Sequence, residues 1–271
     1  MDFKLSYNWL KEFVDVRKSP EELAELLSLH SVSVERIHRL GGDLDRIIVG
    51  RVDGIHPHPN ADRLRVVQVA TSAKGTPAEV VCGGSNLRMG MLVAYAQVGA
   101  RVRWHGQGDL ATLAPAEIRG VASAGMICAA SEIGLAEYFL AEGEKEILDC
   151  TFLDVKTVGQ PLARALGMDD AVLEVEVTTN RPDLMAVEEL AREVAAITHS
   201  SFRPERSGVE KSSSSRSGIS RLRPAALEMT RMKVRVESSK DCPRYGAVVI
   251  DGVRVGPSPW EVRRKLIAAG L

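Results

Sequence analysis

The stretch RIIVGRVDGIHPHPNADRLRVVQVAT, residues 46–71, decides the fold. Ile47, Val49 and Val52 on one side, and Val66, Val67 and Val69 on the other, are β-branched residues mixed with Gly, Arg, Asp and Gln. That texture reads as two strands. Between them Pro57 and Pro59 fix their own φ and push His56 and His58 into extended backbone, so the segment reads as a rigid loop joining the strands. In extended backbone, residues two apart point the same way, which gives His56, His58 and nearby Asp62 the look of a metal site. A zinc site needs three or four ligands, and no other His or Cys lies in this stretch. Asp62 is better used capping the NADRL turn. The expectation is a structural turn without metal.

Three further runs continue the pattern: AEVVCGG (78–84), MLVAYAQVGARV (91–102) and AEIRGVASAGMICA (116–129). Five short β-rich runs within about a hundred residues suggest a small closed barrel rather than a helical or doubly wound domain. The paired Gly83 and Gly84 suggest a sharp turn or bulge.

The flanks have a different texture. KLSYNWLKEFV (4–14) reads as a short strand running into a helix, and SPEELAELLS (19–28) is a helix start. There Ser19 is the cap, Pro20 sits at the first helical position and Glu22 completes a capping box. Val32, Val34 and Ile37 nearly alternate, as in a strand. Beyond the barrel, Val172, Leu173, Val175 and Val177 read as a strand. Leu184, Val187, Leu190, Val194 and Ile197 then follow at helical spacing. Each flank is too small to bury a core alone. The expected class is therefore α+β multidomain. A discontinuous α/β domain (1–41 plus 150–200) would hold an inserted barrel (42–149). A flexible Ser/Arg-rich linker (201–223) would lead to the start of another α/β unit (224–271), which ends in the helix start SPWEVRRKLIAAGL.

Formal net charge over the 271 residues is −1, so no global field marks nucleic acid or membrane as a partner, and any such surface must be local. Cys82, Cys128, Cys150 and Cys242 lie far apart without a C-x-x-C pair, against a zinc ribbon or a disulfide framework. The start MDFKLSYNWLKEF lacks the basic region and apolar run of a signal peptide. These features suggest a soluble cytoplasmic chain.

HPNADRL, then VVCGGSN, VAYAQVGA and IRGVASAGMICAASEIGL, resemble the oligonucleotide-binding-fold (OB-fold) tRNA-binding module attached to several aminoacyl-tRNA synthetases. SYNWLKEFVD, SPEELAELL and VSVERI before it, and LEVEVTTNRPDLMAVEELAREVAAI after it, resemble the bacterial phenylalanyl-tRNA synthetase β subunit. CPRYGAVVIDGVRVGPSPWEVRRKLIAAGL is similar to the opening of that family's editing-type (B3/B4-like) domain, here incomplete. Thr179 stands where proline is usual, and Ser31 where glycine is common. The resemblance implies the amino-terminal part of an α2β2 synthetase that charges tRNA(Phe) using ATP and Mg2+, with partners tRNA and the α subunit and neither DNA nor membrane. Catalysis in the family belongs to the α subunit, so no catalytic residue, cofactor or metal is expected on this portion.

An OB-fold barrel holds nucleic acid across its strands by stacking on aromatics and pairing cations with phosphates. Residues 45–149 carry ten Lys and Arg against twelve Asp and Glu, so a binding surface would have to be clustered. The candidates are Arg63 and Arg65, Arg101 and Arg103 with Trp104, and Asn86, Arg88 and Ser123 in loops that would border the groove. The alternative is that the arginines are a solvated face and Trp104 closes the barrel end. In NRPD, Arg181 and Asp183 either hold the loop to its own helix, Asp183 acting as a cap, or form an interface. A free-standing OB-fold tRNA-binding protein is the competing function.

Overall fold

The structure, a computed structural model, describes residues 2–203 except 142, 144, 154 and 156, together with 240, 252 and 255–271. Of the described residues, those within 2–203 and 260–271 form one compact unit. The linker expected over 201–223 and the strands expected in MKVRVES and RYGAVVIDGVRV lie almost wholly outside the described residues.

In chain order the strands are β1 (Asp2–Ser6), β2 (Ser33–Arg39), β3 (Ile47–His58), β4 (Ala61–Ala70), β5 (Ala78–Cys82), β6 (Leu92–Gln97), β7 (Arg101–Val102), β8 (Ala111–Thr112), β9 (Ala116–Ile118), β10 (Val121–Ser123), β11 (Gly125–Ile127) and β12 (Ala171–Glu176). The helices are α1 (Tyr7–Phe13), α2 (Pro20–His30), α3 (Leu162–Ala165), α4 (Val187–Thr198) and α5 (Trp260–Ala268).

Strand β12 lies between β1 and β2 in an antiparallel three-stranded sheet, so chain segments before and after the barrel share one ladder. Ser6 caps α1, its hydroxyl accepting from the Trp9 amide at 3.0 Å and donating to buried Asp170 at 2.5 Å. Asp170 in turn accepts from the Asn8 amide. Ser19 and Glu22 form the full capping box at the start of α2. Losing the Ser19 hydroxyl costs about 1 kcal/mol of local stability. Leu5, Leu10, Leu23, Leu27, Leu173 and Leu190 are fully buried in one core between this sheet and helices α1, α2 and α4.

The barrel is a five-stranded, nearly closed antiparallel sheet in the order β11-β6-β3-β4-β5, as an OB-fold requires. The seam between its two ends is bridged by the Ala124 amide donating to the Glu79 carbonyl at 3.0 Å and the Val81 amide to Ser123 Oγ at 3.2 Å. The period-2 alternation of β3 and β6 serves two cores at once. Val52, Val93 and Tyr95 point into the barrel with Val67, Val69 and Val80. Ile47, Val49, Ala94 and Ala96 point outward into a second core with Leu148, Leu162 and Leu166. The run AEIRGVASAGMICA is not one strand: it breaks into the hairpin β9–β10 and the barrel strand β11.

Helix α5 packs on both regions. Trp260 Nε1 donates to the Leu166 carbonyl at 2.9 Å and its ring lies 4.7 Å from that of Phe139. On the other side, Lys265 pairs with Glu12 at 2.6 Å and sits over the Trp9 ring.

Candidate nucleic-acid interface

The opening stretch folds differently from the rigid loop expected. HPH is the end of β3 itself, and only Pro59 and Asn60 turn the chain into β4. His58 is buried, with Nδ1 accepting from the Asn60 amide at 3.0 Å and Nε2 donating to the Ile118 carbonyl at 3.0 Å. Both ring nitrogens are therefore engaged as in a neutral imidazole, which leaves no lone pair for a metal. It is His58, rather than Asp62, that holds the turn. Among the described residues no group of three or more His, Cys, Asp or Glu is placed to hold an ion.

Two hairpin tips meet at this point. Ile118 pairs with Val121, leaving Arg119 (φ 50°) and Gly120 (φ 86°) as a two-residue turn of the primed kind that matches strand twist. Asn60 Nδ2 donates to the Arg119 carbonyl at 2.9 Å, and Arg119 Nη1 donates back to the Asn60 carbonyl at 3.4 Å. Next to the tip, Pro57 pairs with Arg65 while His58 pairs with Ala61, so Asp62, Arg63 and Leu64 bulge out of β4. Arg63 is exposed and has no ion-pair or hydrogen-bond partner among the described residues. Arg65, also exposed, donates from Nη1 to the carbonyls of Asp62 and Leu64, both at 3.1 Å.

Arg101 and Arg103 lie elsewhere. The start of β3 pairs with the end of β6 (Ile47 with Ala96), and the chain runs from there into β7. The two arginine groups thus stand at opposite ends of a 12-residue strand, a path on the order of 35 Å. Trp104 is 50% exposed on a 3-10 turn. Glu132 lies against His105, and burial holds its carboxyl above the usual glutamate range.

The remaining candidates are tied into the fold. Asn86 Nδ2 donates to the Ile147 carbonyl and Asn86 Oδ1 accepts from the Ile147 amide, both at 3.0 Å. Arg88 pairs with Asp149 at 2.6 Å. Ser123 is buried, its hydroxyl accepting from Val81 and donating to the Gly125 carbonyl at 3.0 Å. Gly83 and Gly84 have no positive φ; a Cβ on Gly84 would stand 2.8 Å from Ile147 Cγ2, so close approach, not a turn, requires the glycine.

In NRPD, Arg181 bridges Asp183 at 2.9 Å and Glu193 of α4 at 3.2 Å. The Ser31 hydroxyl donates to the same Glu193 at 2.6 Å, and these bonds, Ser31 first and Arg181 second, hold its carboxyl below the usual range. Arg181 does fix the loop to its helix. Asp183 does not cap α4, whose N-cap is Ala186 without a side-chain bond.

Sequence reasoning missed Arg119. Its signal was the Arg-Gly pair between two strand-like triplets, a two-residue hairpin pattern hidden inside a run read as continuous.

Residues 47–151 match a family model described as "Putative tRNA binding domain". Over 269 residues the chain is 38% identical to the phenylalanine–tRNA ligase beta subunit of Synechococcus sp. (strain JA-2-3B'a(2-13)) and 36% to that of Anaeromyxobacter dehalogenans, 99% of this chain in each case. It is 39% identical over 267 residues, 98% of the chain, to that of Geobacter metallireducens. Among solved structures, the C-terminal domain of Plasmodium vivax p43 aligns with 30% of this chain and 43% of its own at 21% identity, with a TM-score of 0.22 that carries no weight. The chain is thus similar along almost its whole length to phenylalanine–tRNA ligase beta subunits, and it spans about 30% of theirs.

Proposed function

We propose that this chain serves phenylalanine–tRNA ligase as part of its β subunit, with the barrel as a tRNA-binding module. The observation that carries the reading is that similarity to the beta subunits runs along 99% of the chain and includes the barrel, itself a match to the tRNA-binding model. The partners are tRNA(Phe) and an α subunit in an α2β2 assembly, in the cytoplasm. ATP and Mg2+ serve the reaction of the whole enzyme, and no residue described here is assigned to them. The chain binds and positions; it does no chemistry alone.

The test is filter binding of tRNA to the purified chain across a salt series, beside an aminoacylation assay with and without α subunit. Salt-sensitive tRNA binding with no charging by the isolated chain is the expected result. No tRNA binding at any salt overturns the module's role, and charging without α subunit overturns the non-catalytic one.

A further inference from the structure

We propose that the two cross-bonded hairpin tips form a single preorganised clamp for the tRNA sugar–phosphate backbone, with Arg63, Arg65 and Arg119 as its cations. This rests on the tRNA-binding reading above and names the part of the barrel that carries it.

Charge compensation sets Arg51 and Arg88 apart from the arginines of the tips. Arg51 is paired with Asp53 at 2.7 Å and Arg88 with Asp149 at 2.6 Å, so each offers a phosphate little net attraction. The tip arginines are different. Arg65 and Arg119 hydrogen-bond only to backbone carbonyls, and Arg63 to nothing among the described residues. A carbonyl orients a guanidinium without cancelling its charge, and each guanidinium has five donors in a fixed fork. The one or two donors turned toward carbonyls leave the rest for phosphate oxygens, which planar guanidinium forks match in bidentate fashion.

Rigidity separates the tips from an ordinary surface patch. Buried His58 bonds both hairpins at once, and Asn60 and Arg119 exchange two more bonds across them. Less ordering is then left for binding to impose, which favours affinity. The neighbouring groove between β5 and the β9–β10 hairpin is lined by Glu79 and Glu117, so a polyanion is kept to the arginine side. At the far end of β3, the Arg103 amide donates to the Glu132 carbonyl at 2.8 Å. No Phe, Tyr or Trp lies in either tip, so the contact is assigned to the backbone, without base specificity.

The experiment compares four versions of the full chain: wild type, Arg63→Gln/Arg65→Gln/Arg119→Gln, Arg101→Gln/Arg103→Gln, and Arg51→Gln/Arg88→Gln. Each is confirmed folded by its melting curve and titrated with two tRNA species across a salt series. A lost phosphate contact lowers the slope of log K against log salt by about 0.7–0.9. The tip variant is expected to lower the slope by about 2–3, equally for both tRNAs, while the other two variants stay within about 0.5 of wild type. An unchanged slope in the tip variant overturns the clamp while leaving tRNA binding intact. So does an equal loss per charge in the Arg51/Arg88 variant, since net charge alone would then account for it. A loss confined to the Arg101/Arg103 variant moves the contact to the opposite end of the barrel. Wild type that binds neither tRNA refutes the tRNA-binding reading and the clamp together.

Discussion

Asn86 is the candidate for which a binding role and a structural role diverge most sharply under mutation. Its amide makes two bonds to the backbone of Ile147, one each way at 3.0 Å, and clips the 83–90 loop to the segment that leads out of the barrel. Each bond is worth about 1 kcal/mol net, and truncation also leaves the amide and carbonyl of buried Ile147 short of partners. Asn86→Ala should therefore destabilise the fold by about 2–3 kcal/mol, lowering the melting temperature by about 5–10 °C for a chain of this size. Circular dichroism melts and urea midpoints measure this directly, and tRNA binding well below the melt should keep its wild-type salt slope. Asn86→Asp sharpens the test. One carboxylate oxygen still accepts from the Ile147 amide, but the other faces the Ile147 carbonyl, so the ionised form is disfavoured and the new carboxyl's pKa is raised. The variant should be nearest wild type below the ordinary aspartate range and lose stability as pH rises through the raised value. A melting temperature unmoved by Asn86→Ala, with tRNA affinity lost, would refute the structural assignment.

Three further outcomes are expected. Gly84→Ala drives a methyl to 2.8 Å from Ile147 Cγ2 and should cost about 1–3 kcal/mol, a penalty that shrinks in an Ile147→Ala background. Trp260→Ala removes the bond to Leu166 and the stack on Phe139; hydrogen exchange should show the amides of α5 losing protection while those of β3 and β4 keep theirs. Burial raises the pKa of Glu132, so its ionisation opposes folding: the contribution of Glu132 to stability should be greatest below the ordinary glutamate range and decline as pH rises through the raised value. Glu132→Gln, which can still accept from the Ala129 amide, should lose that decline in urea midpoints taken across pH.

Much of the fold was legible along the chain. Ser19, Pro20 and Glu22 announce α2 because a capping box is a local device whose partners lie three residues apart. The alternation through residues 46–71 and the runs after it announce a barrel because burying one face of a strand imposes period two on the sequence. Misreadings arose where backbone details outweighed pattern. HPH stays in β3 because Pro57 is compatible with extended backbone at a strand end, and residues 116–129 break because Arg119 and Gly120 take positive φ.

Arg63, Arg65 and the aminoacyl-tRNA synthetase resemblance were determined by the sequence, since residue identity, spacing and motif order are properties of the chain. What an arginine is free to do was decided only by tertiary structure, because charge compensation depends on neighbours remote in sequence. Arg88 meets Asp149, 61 residues on, and is neutralised, whereas Arg119 meets the backbone of Asn60, 59 residues back, and keeps its charge. His58 looks like half of a metal site in one dimension. In three it is a cross-brace, because the carbonyl that occupies its second nitrogen belongs to Ile118 on another hairpin.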